Sequence, residues 1–269
     1  MSDRLLLKLK KLDKIYLNGN VTSVNHPVLE NNLIECYLDY EEDNSNIVPT
    51  EMPLNIIYED EAYIVVNKPA GIPVHPSMDH YTDSLSNEIA FYFNQIGLKK
   101  KIRPVNRLDK DTSGIVIFAK NEYIQECLVR QMKSKEFIKK YIAVVNGNLD
   151  NLEGTINAPI ARKEGSIIER CVSETGDIAI THYKVLKRKT DFDIVECILE
   201  TGRTHQIRVH FAYLGHSLLS DTLYGTSSSL INRQALHAYK VEFTHPLSKK
   251  KVKYIATVPE DLNKLMENA

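Results

Sequence analysis

Short stretches that alternate apolar and polar positions dominate the chain, which is the pattern of half-buried β-strands. Residues 55–71 carry two such runs separated by Glu59-Asp60-Glu61, which predicts a hairpin. The entirely apolar run 115–119 indicates a buried strand. Further strands are predicted at 141–145, 178–186, 192–199 and 252–257, the middle two as antiparallel neighbours.

Helical spacing of apolar residues occurs in fewer places. It predicts helices over 83–97 and 121–134, and a helix capped by Thr204 that runs to Leu214. A last helix is expected after Pro259-Glu260-Asp261. Because strands dominate and do not alternate strictly with helices, we expect an α+β fold with a mostly antiparallel sheet.

The first 48 residues are predicted to form a small module of their own. Short strands are expected around the turn Asn18-Gly19-Asn20. A polar, proline-containing linker follows, from Asn44 to Pro53. We therefore divide the chain into an N-terminal module, residues 1–48, and a main domain, residues 54–265.

Composition is typical of a globular protein, with 43% hydrophobic and 26% charged residues among 269. No apolar segment reaches membrane-spanning length and the lysine-rich start is unlike a signal peptide, so a cytoplasmic location is expected. The four cysteines are far apart and show no metal-ligand spacing, which favours reduced thiols and argues against structural zinc.

Net charge is −1, but the charges are unevenly distributed. Twelve Lys or Arg and only five Asp or Glu lie between Lys99 and Lys140, whereas Glu41–Glu61 holds seven carboxylates and no Lys or Arg. A basic surface on a nearly neutral protein attracts phosphates, although a simply solvated surface is an alternative.

Arg107-Leu108-Asp109 is the first candidate for chemistry. An arginine favours the charged form of a neighbouring carboxylate, and an oriented carboxylate can act as a nucleophile or base. An Asp that only caps a turn, or forms a surface ion pair, is the structural alternative. Asp109-Lys110-Asp111-Thr112 also matches the DxDT pattern of aspartyl-phosphate phosphatases, but there the apolar strand precedes the motif and here it follows.

The second candidate is the segment 199–216, in which Arg203, His205, Arg208 and His210 stand at the start of a predicted helix. A helix N-terminus with two guanidinium groups favours anions. The two histidines are five positions apart and do not share a helix face, so a metal pair is not expected. Tyr141 by itself is typical of a structural strand residue.

Several motifs occur together in a fixed order: NKPAGIPVHPS (67–77), NRLDKDTSGIVIFAK (106–120), KKYIAVVNG (139–147), LETGRTHQIRVHFAYLGH (199–216), SDTLYG (220–225) and LHAYKVEFTHPLSKK (236–250). In the order and spacing of these motifs, the chain resembles the RluA-like family of RNA pseudouridine synthases over about residues 54–262.

The resemblance implies a pseudouridine synthase fold, a mostly antiparallel mixed sheet with flanking helices. It implies an enzyme that isomerises uridines of ribosomal or transfer RNA without metal or cofactor, as a monomer with no obligatory protein partner. Asp109 matches the catalytic aspartate, whether it attacks the sugar or removes a ribose proton. Tyr141 matches a tyrosine that stacks on the base and is placed for proton removal at carbon 5, and Arg208 matches the arginine that pairs with the aspartate. Arg107 matches an arginine that displaces the nucleotide, and Ile207 lies where an apolar residue lines the pocket. Arg203, His205 and Gln206 are expected to bind the substrate.

Some positions depart from the family pattern. Asn106 stands where His commonly precedes Arg-Leu-Asp, and Ser217 and Ser220 replace a frequent Pro and Gly. The N-terminal module resembles a degenerate form of the small RNA-binding domain shared with a ribosomal small-subunit protein. A non-catalytic RNA-binding protein on the same fold is the main alternative, and it predicts loss of Asp109, Tyr141 and Arg208, all of which are present.

Overall fold

The computed structural model describes residues 1–267 of the chain. Within them the helices are α1 (Asp3–Lys11), α2 (Leu85–Gln95), α3 (Glu122–Lys133), α4 (Gln206–Tyr213) and α5 (Glu260–Glu267). The strands are β1 (Ile15–Leu17), β2 (Asn20–Val21), β3 (Ile34–Cys36), β4 (Ile56–Glu59), β5 (Tyr63–Lys68), β6 (Ser113–Ala119), β7 (Ile138–Asn146), β8 (Glu153–Asn157), β9 (Ile160–Arg162), β10 (Arg170–Val172), β11 (Ile180–Arg188), β12 (Phe192–Leu199), β13 (Leu236–Thr244) and β14 (Lys251–Ile255).

A nine-stranded sheet forms the centre of the molecule, in the order β4-β5-β6-β13-β7-β12-β11-β8, with β14 also paired to β13. Neighbouring strands are antiparallel except β6 and β13, which are parallel. The predicted α+β fold with a mostly antiparallel mixed sheet is therefore confirmed.

Alternate residues of the central strands point to opposite faces of this sheet, and each face is covered by different helices. On β7, Tyr141, Ala143 and Val145 pack towards residues of α4, whereas Ile142 and Val144 pack towards α5. In the other half of the sheet, α2 and α3 likewise cover opposite faces of β5 and β6. This arrangement places Tyr141 and α4 on one face.

The N-terminal strands form a separate three-stranded sheet, ordered β2-β1-β3. Asn18 and Gly19 connect β1 to β2 with φ values of 50° and 80°, as a tight two-residue hairpin turn requires, so the predicted turn is confirmed. Helix α1 was not predicted. It buries Leu5 and Leu9 against Ile15, and the intervening lysines hid this apolar stripe. The division into two domains stays a prediction.

Helix α4 corrects one predicted boundary. It begins at Gln206, and its N-cap is His205, not Thr204. His205 has a left-handed backbone with φ of 58°, which is uncommon for a residue other than glycine. The predicted helices 83–97 and 121–134 correspond to α2 and α3. None of the helices within residues 1–267 is long and apolar enough to cross a membrane.

Candidate active site

The loop that carries Asp109 lies directly before β6 and is held by two cations, the buried Lys68 and the largely buried Arg233. The Thr112 N–H donates to the Asp109 carbonyl (3.1 Å), which closes the turn. Lys68 Nζ donates to the carbonyl of Lys110 (2.8 Å), and Arg233 Nη1 to that of Asp111 (3.1 Å). The two residues that follow Asp109 are thus each held by a bond to their backbone carbonyl.

Lys68 is fully buried, and its amine also donates to the carbonyls of Pro69 and Ile72 at 2.8 Å each. Three acceptors match the three protons of an ammonium group. Burial lowers the pKa of Lys68 to about 7, although the charges of Asp111 and Asp109 act in the opposite direction. The lysine therefore joins the NKPAG segment to the Asp109 loop.

Gly114 and Asn106, two further residues of the Asp109 motif, are explained by their contacts with the backbone. Gly114 has φ of 117°, and a Cβ there would overlap the backbone of Ala238 on the neighbouring strand. Asn106 is buried, and its side-chain amide bonds backbone groups of β6 as a neighbouring strand would. It donates to the Ile115 carbonyl (2.9 Å) and accepts from the Ile117 N–H (3.0 Å). The Asn that departs from the family pattern therefore has both of its amide groups satisfied.

Arg208, in the first turn of α4, joins Asp109 to a second carboxylate. Its Nη1 donates to Asp109 Oδ2 at 3.1 Å, while Nε and Nη2 donate to the two oxygens of Asp221 at 2.7 and 2.8 Å. Asp221 is fully buried. Burial acts to lower the pKa of Arg208, but the bonds to Asp221 and Asp109 outweigh it, so this pKa is raised and the guanidinium stays charged.

His205 and Tyr224 complete the surroundings of Asp109. His205 Nε2 lies 3.9 Å from Asp109 Oδ1, and its Nδ1 lies 2.8 Å from the Tyr224 hydroxyl. The hydroxyl already accepts from the Arg170 N–H (2.8 Å), so its own proton is free to point at Nδ1, which leaves the imidazole proton on Nε2 facing Asp109. Burial lowers the pKa of His205, with a smaller opposing effect of Asp109. The ring is therefore neutral near pH 7.

Tyr141 stands on β7, opposite Cys197 of β12, and packs with Ile207 of α4. Burial raises the pKa of its phenol, and the charge of Asp109 adds to this effect, so the phenol is protonated at neutral pH. Lys139 lies two positions earlier on the same face of β7, and burial lowers the pKa of its amine. An aromatic ring and a cation thus stand side by side in the site.

All eight residues proposed from the sequence line one cavity of about 680 Å³. Gln206 lines it with its amide occupied, because it bonds Ile180, Thr181, Thr201 and the Arg203 N–H. His210 does not line the cavity, and its ring nitrogens bond Thr181 and Ala158. The eight are Arg107, Asp109, Tyr141, Arg203, His205, Gln206, Ile207 and Arg208.

Sequence reasoning missed Asp221, Tyr224 and Lys68 as site residues. Asp221 and Tyr224 both belong to the motif SDTLYG, for whose side chains the resemblance implied no role. A buried arginine such as Arg208 needs more than one acceptor, which indicates a further partner for it but does not say which residue supplies it.

The chain matches the sequence model of the family described as RNA pseudouridylate synthase over residues 62–213. It is 42% identical, over 258 residues, to the protein of Bacillus subtilis (strain 168) named uncharacterized RNA pseudouridine synthase YhcT. This match covers 93% of this chain and 85% of that protein. It is 38% identical, over 271 residues, to ribosomal large subunit pseudouridine synthase D of Xylella fastidiosa (strain Temecula1), which covers 95% and 81%.

Among solved structures, human RNA pseudouridylate synthase domain containing 1 superimposes with a TM-score of 0.63 at 26% identity, covering 77% of this chain and 84% of that one. The chain therefore belongs to the RluA-like family of RNA pseudouridine synthases. Its activity is the isomerisation of uridine in RNA, so the phosphatase and the non-catalytic alternatives are rejected.

Proposed function

We propose that the chain modifies uridines of large-subunit ribosomal RNA, with Asp109 as the catalytic residue. The observation that carries this proposal is the Asp109 carboxylate, which lines a cavity with Tyr141 and is bonded by the buried Arg208. The name of the Xylella relative supports the choice of ribosomal RNA, and transfer RNA is the other substrate class that the family resemblance implied.

The reaction breaks the bond between nitrogen 1 of uracil and the ribose, rotates the base and forms a bond from carbon 5 to the same ribose carbon. Carbon 5 loses a proton and nitrogen 1 gains one, so atoms and charge balance without an electron donor. We assign Asp109 to the ribose, because Arg208 holds its carboxylate in one orientation. We expect the reaction to need no cofactor and the protein to act as a monomer in the cytoplasm.

The target uridine must leave its stack to enter the cavity, at a cost of a few kcal/mol. Stacking on Tyr141 offsets roughly 1–3 kcal/mol of this cost. Arg107 is exposed at the cavity edge, where it can occupy the space that the nucleotide leaves. Because the phenol of Tyr141 is protonated in the free enzyme, stacking on the base is the role that we assign to it. Gln206, with its amide occupied, is assigned to shaping the loop.

Asp109→Asn tests the proposal, with Asp111→Asn as the control from the same loop. Without the carboxylate, we expect tritium release from RNA labelled at carbon 5 of uridine to fall by at least about 10²–10⁴-fold, while RNA binding persists. The control should keep its rate. Undiminished release by the Asp109→Asn protein would contradict the assignment, and modification confined to transfer RNA would contradict the substrate class.

A further inference from the structure

A second cavity, of about 400 Å³, adjoins the Asp109 cavity. The two share Arg107, Gly202, Arg203 and Thr204 in their walls. The remaining wall comes from the ribbon formed by β9 and β10 and from the loop 175–177 that follows it. The size falls within the range of ligand pockets, roughly 300–1,000 Å³.

Four arginines from three separate parts of the chain meet in this cavity: Arg107 before β6, Arg162 and Arg170 on the ribbon, and Arg203 before α4. Its wall holds one carboxylate, Asp177, which pairs with Arg203 at 3.3 Å. Within residues 1–267, Arg107, Arg162 and Arg170 have no carboxylate within 4.0 Å. The lining therefore carries a net charge of about +3 by counting side chains that are ionised at neutral pH.

The ribbon is fixed in relation to the active site by hydrogen bonds. The Arg170 N–H donates to the Tyr224 hydroxyl, which also contacts His205 beside Asp109. Ile160 pairs with Asp177 through two backbone hydrogen bonds of 2.9 Å. The Arg170 guanidinium is itself oriented by bonds to the Ile168 and Glu169 carbonyls, at 3.0 and 2.9 Å.

One acidic side chain of the ribbon, that of Glu169, is already neutralised. Glu169 lies next to Arg170 in sequence, but its carboxylate pairs with Lys163 at 2.9 Å. Unpaired cations held close together repel one another, and an anion between them removes this cost. Guanidinium groups match phosphate oxygens in pairs, which a single lysine does not do.

We infer that this arginine cavity binds a backbone phosphate of the RNA next to the target uridine. Phosphate contacts fix the register of a nucleic acid on a protein, and Arg107 belongs to both cavities, so a phosphate held here would set which base enters the Asp109 cavity. The inference rests on the proposed function. Its new residues are Arg162 and Arg170.

The test measures binding of a fluorescent, uridine-containing single-stranded RNA decamer to the full-length protein carrying Arg162→Ala, Arg170→Ala or both. Each single variant should weaken binding by about tenfold, as expected for a charged hydrogen bond. The slope of log Kd against log salt should fall by about 0.7 for each lost contact. Arg170→Lys should restore part of the affinity but not the whole.

Lys264→Ala is the charge-matched control, because Lys264 is exposed on α5, on the face of the sheet opposite Tyr141. It should leave both affinity and slope unchanged. A decamer with neutral methylphosphonate linkages should bind equally to wild type and the double variant. If inorganic phosphate binds wild type and the double variant loses it while RNA affinity stays the same, the cavity takes a free anion and the inference is overturned.

Activity on unmodified large-subunit ribosomal RNA separates this inference from the proposed function. A rise in KM in the double variant, with kcat retained, supports both. An inactive wild type whose RNA affinity still depends on Arg162 and Arg170 would remove the proposed substrate and leave the phosphate site. An active wild type with unchanged affinity, slope and KM in the double variant would overturn the phosphate site alone.

Discussion

At the scale of single residues, the geometry around Asp109 depends on a carboxylate that never reaches the substrate cavity. Asp221 takes two of the three guanidinium nitrogens of Arg208, and only the third is directed at Asp109. A bidentate pair fixes the plane of the guanidinium group. Asp221 is therefore a positioning residue for the bond from Arg208 to Asp109, the proposed catalytic residue.

Asp221→Asn should lower both stability and turnover, because it keeps the shape but leaves the charge of Arg208 with one carboxylate instead of two. We expect a loss of about 3–5 kcal/mol in the free energy of unfolding, as for a broken buried ion pair, measured by urea denaturation. The kcat should fall while KM changes little. Asp193→Asn is the control, since Asp193 is equally buried and paired with Arg188. It should lower stability alone, and an unchanged kcat in the Asp221 variant would contradict the positioning role.

The eight proposed residues were found through the resemblance to the RluA-like family, whose motifs are contiguous in the sequence, and all eight line the cavity. The sequence could not predict Asp221 or Tyr224 as neighbours of Asp109, because both lie on an irregular loop that reaches the site only through tertiary packing. The burial of Lys68 beside the Asp109 loop could not be predicted from its neighbours in the sequence either. A lysine beside a proline is typical of an exposed loop, yet here it is fully buried by three carbonyl oxygens.

At the scale of elements, prediction succeeded where a regular period was long enough to be visible. Helix α2 has apolar residues at helical spacing and a capping box between Ser84 and Asn87, and it was predicted to within two residues at each end. The strands β9 and β10 have three residues each, too few for an alternation to be recognised. Helix α4 is buried on almost every side, which removes the polar face that would mark its start.

Helix α2 also contains a buried carboxylate that should make stability depend on pH. Within residues 1–267, Glu88 is 2% exposed and its Oε1 bonds no protein group. Burial raises the pKa of Glu88 from 4.5 to about 7. Between these pH values the folded protein holds a proton that the unfolded chain releases, so this contribution to stability is full below about pH 4.5 and is lost as the pH rises through 7.

Glu88→Gln should therefore flatten the pH dependence of the free energy of unfolding. We expect the variant to gain stability relative to wild type as the pH rises from 4.5 to 8, measured by urea denaturation at several pH values. Glu260→Gln, at an exposed position of α5, should not produce this gain. A constant difference between the Glu88 variant and wild type over the whole range would contradict the raised pKa.

At the scale of the whole molecule, part of the basic cluster predicted to hold phosphates is neutralised within the protein. Lys99 pairs with Glu41, Lys100 with Asp39, and Arg103 with both oxygens of Glu42. The acidic run and the start of the basic run thus face each other, which composition along the chain could not show. Lys139 and the arginine cavity, which lie nearer the active site, are the cations that we propose for RNA.

Glu42 connects Lys8 of helix α1 to Arg103, and replacing it should lower stability most at neutral pH. It accepts from Arg103 at 2.6 Å and from Lys8 at 3.0 Å, and although burial opposes them, these cations lower the pKa of Glu42 to about 2. Its contribution to stability is therefore present above about pH 4.5 and is lost as the pH falls towards 2.

Glu42→Gln should lower the free energy of unfolding at pH 7 by about 3–5 kcal/mol, and the difference from wild type should shrink between pH 4.5 and 2 in urea denaturation. Asp39→Asn is the control, because the Asp39 side chain is exposed and its pair with the buried Lys100 should therefore contribute at most about 1 kcal/mol. Equal losses in the two variants would contradict the role of Glu42 as the buried link between Lys8 and Arg103.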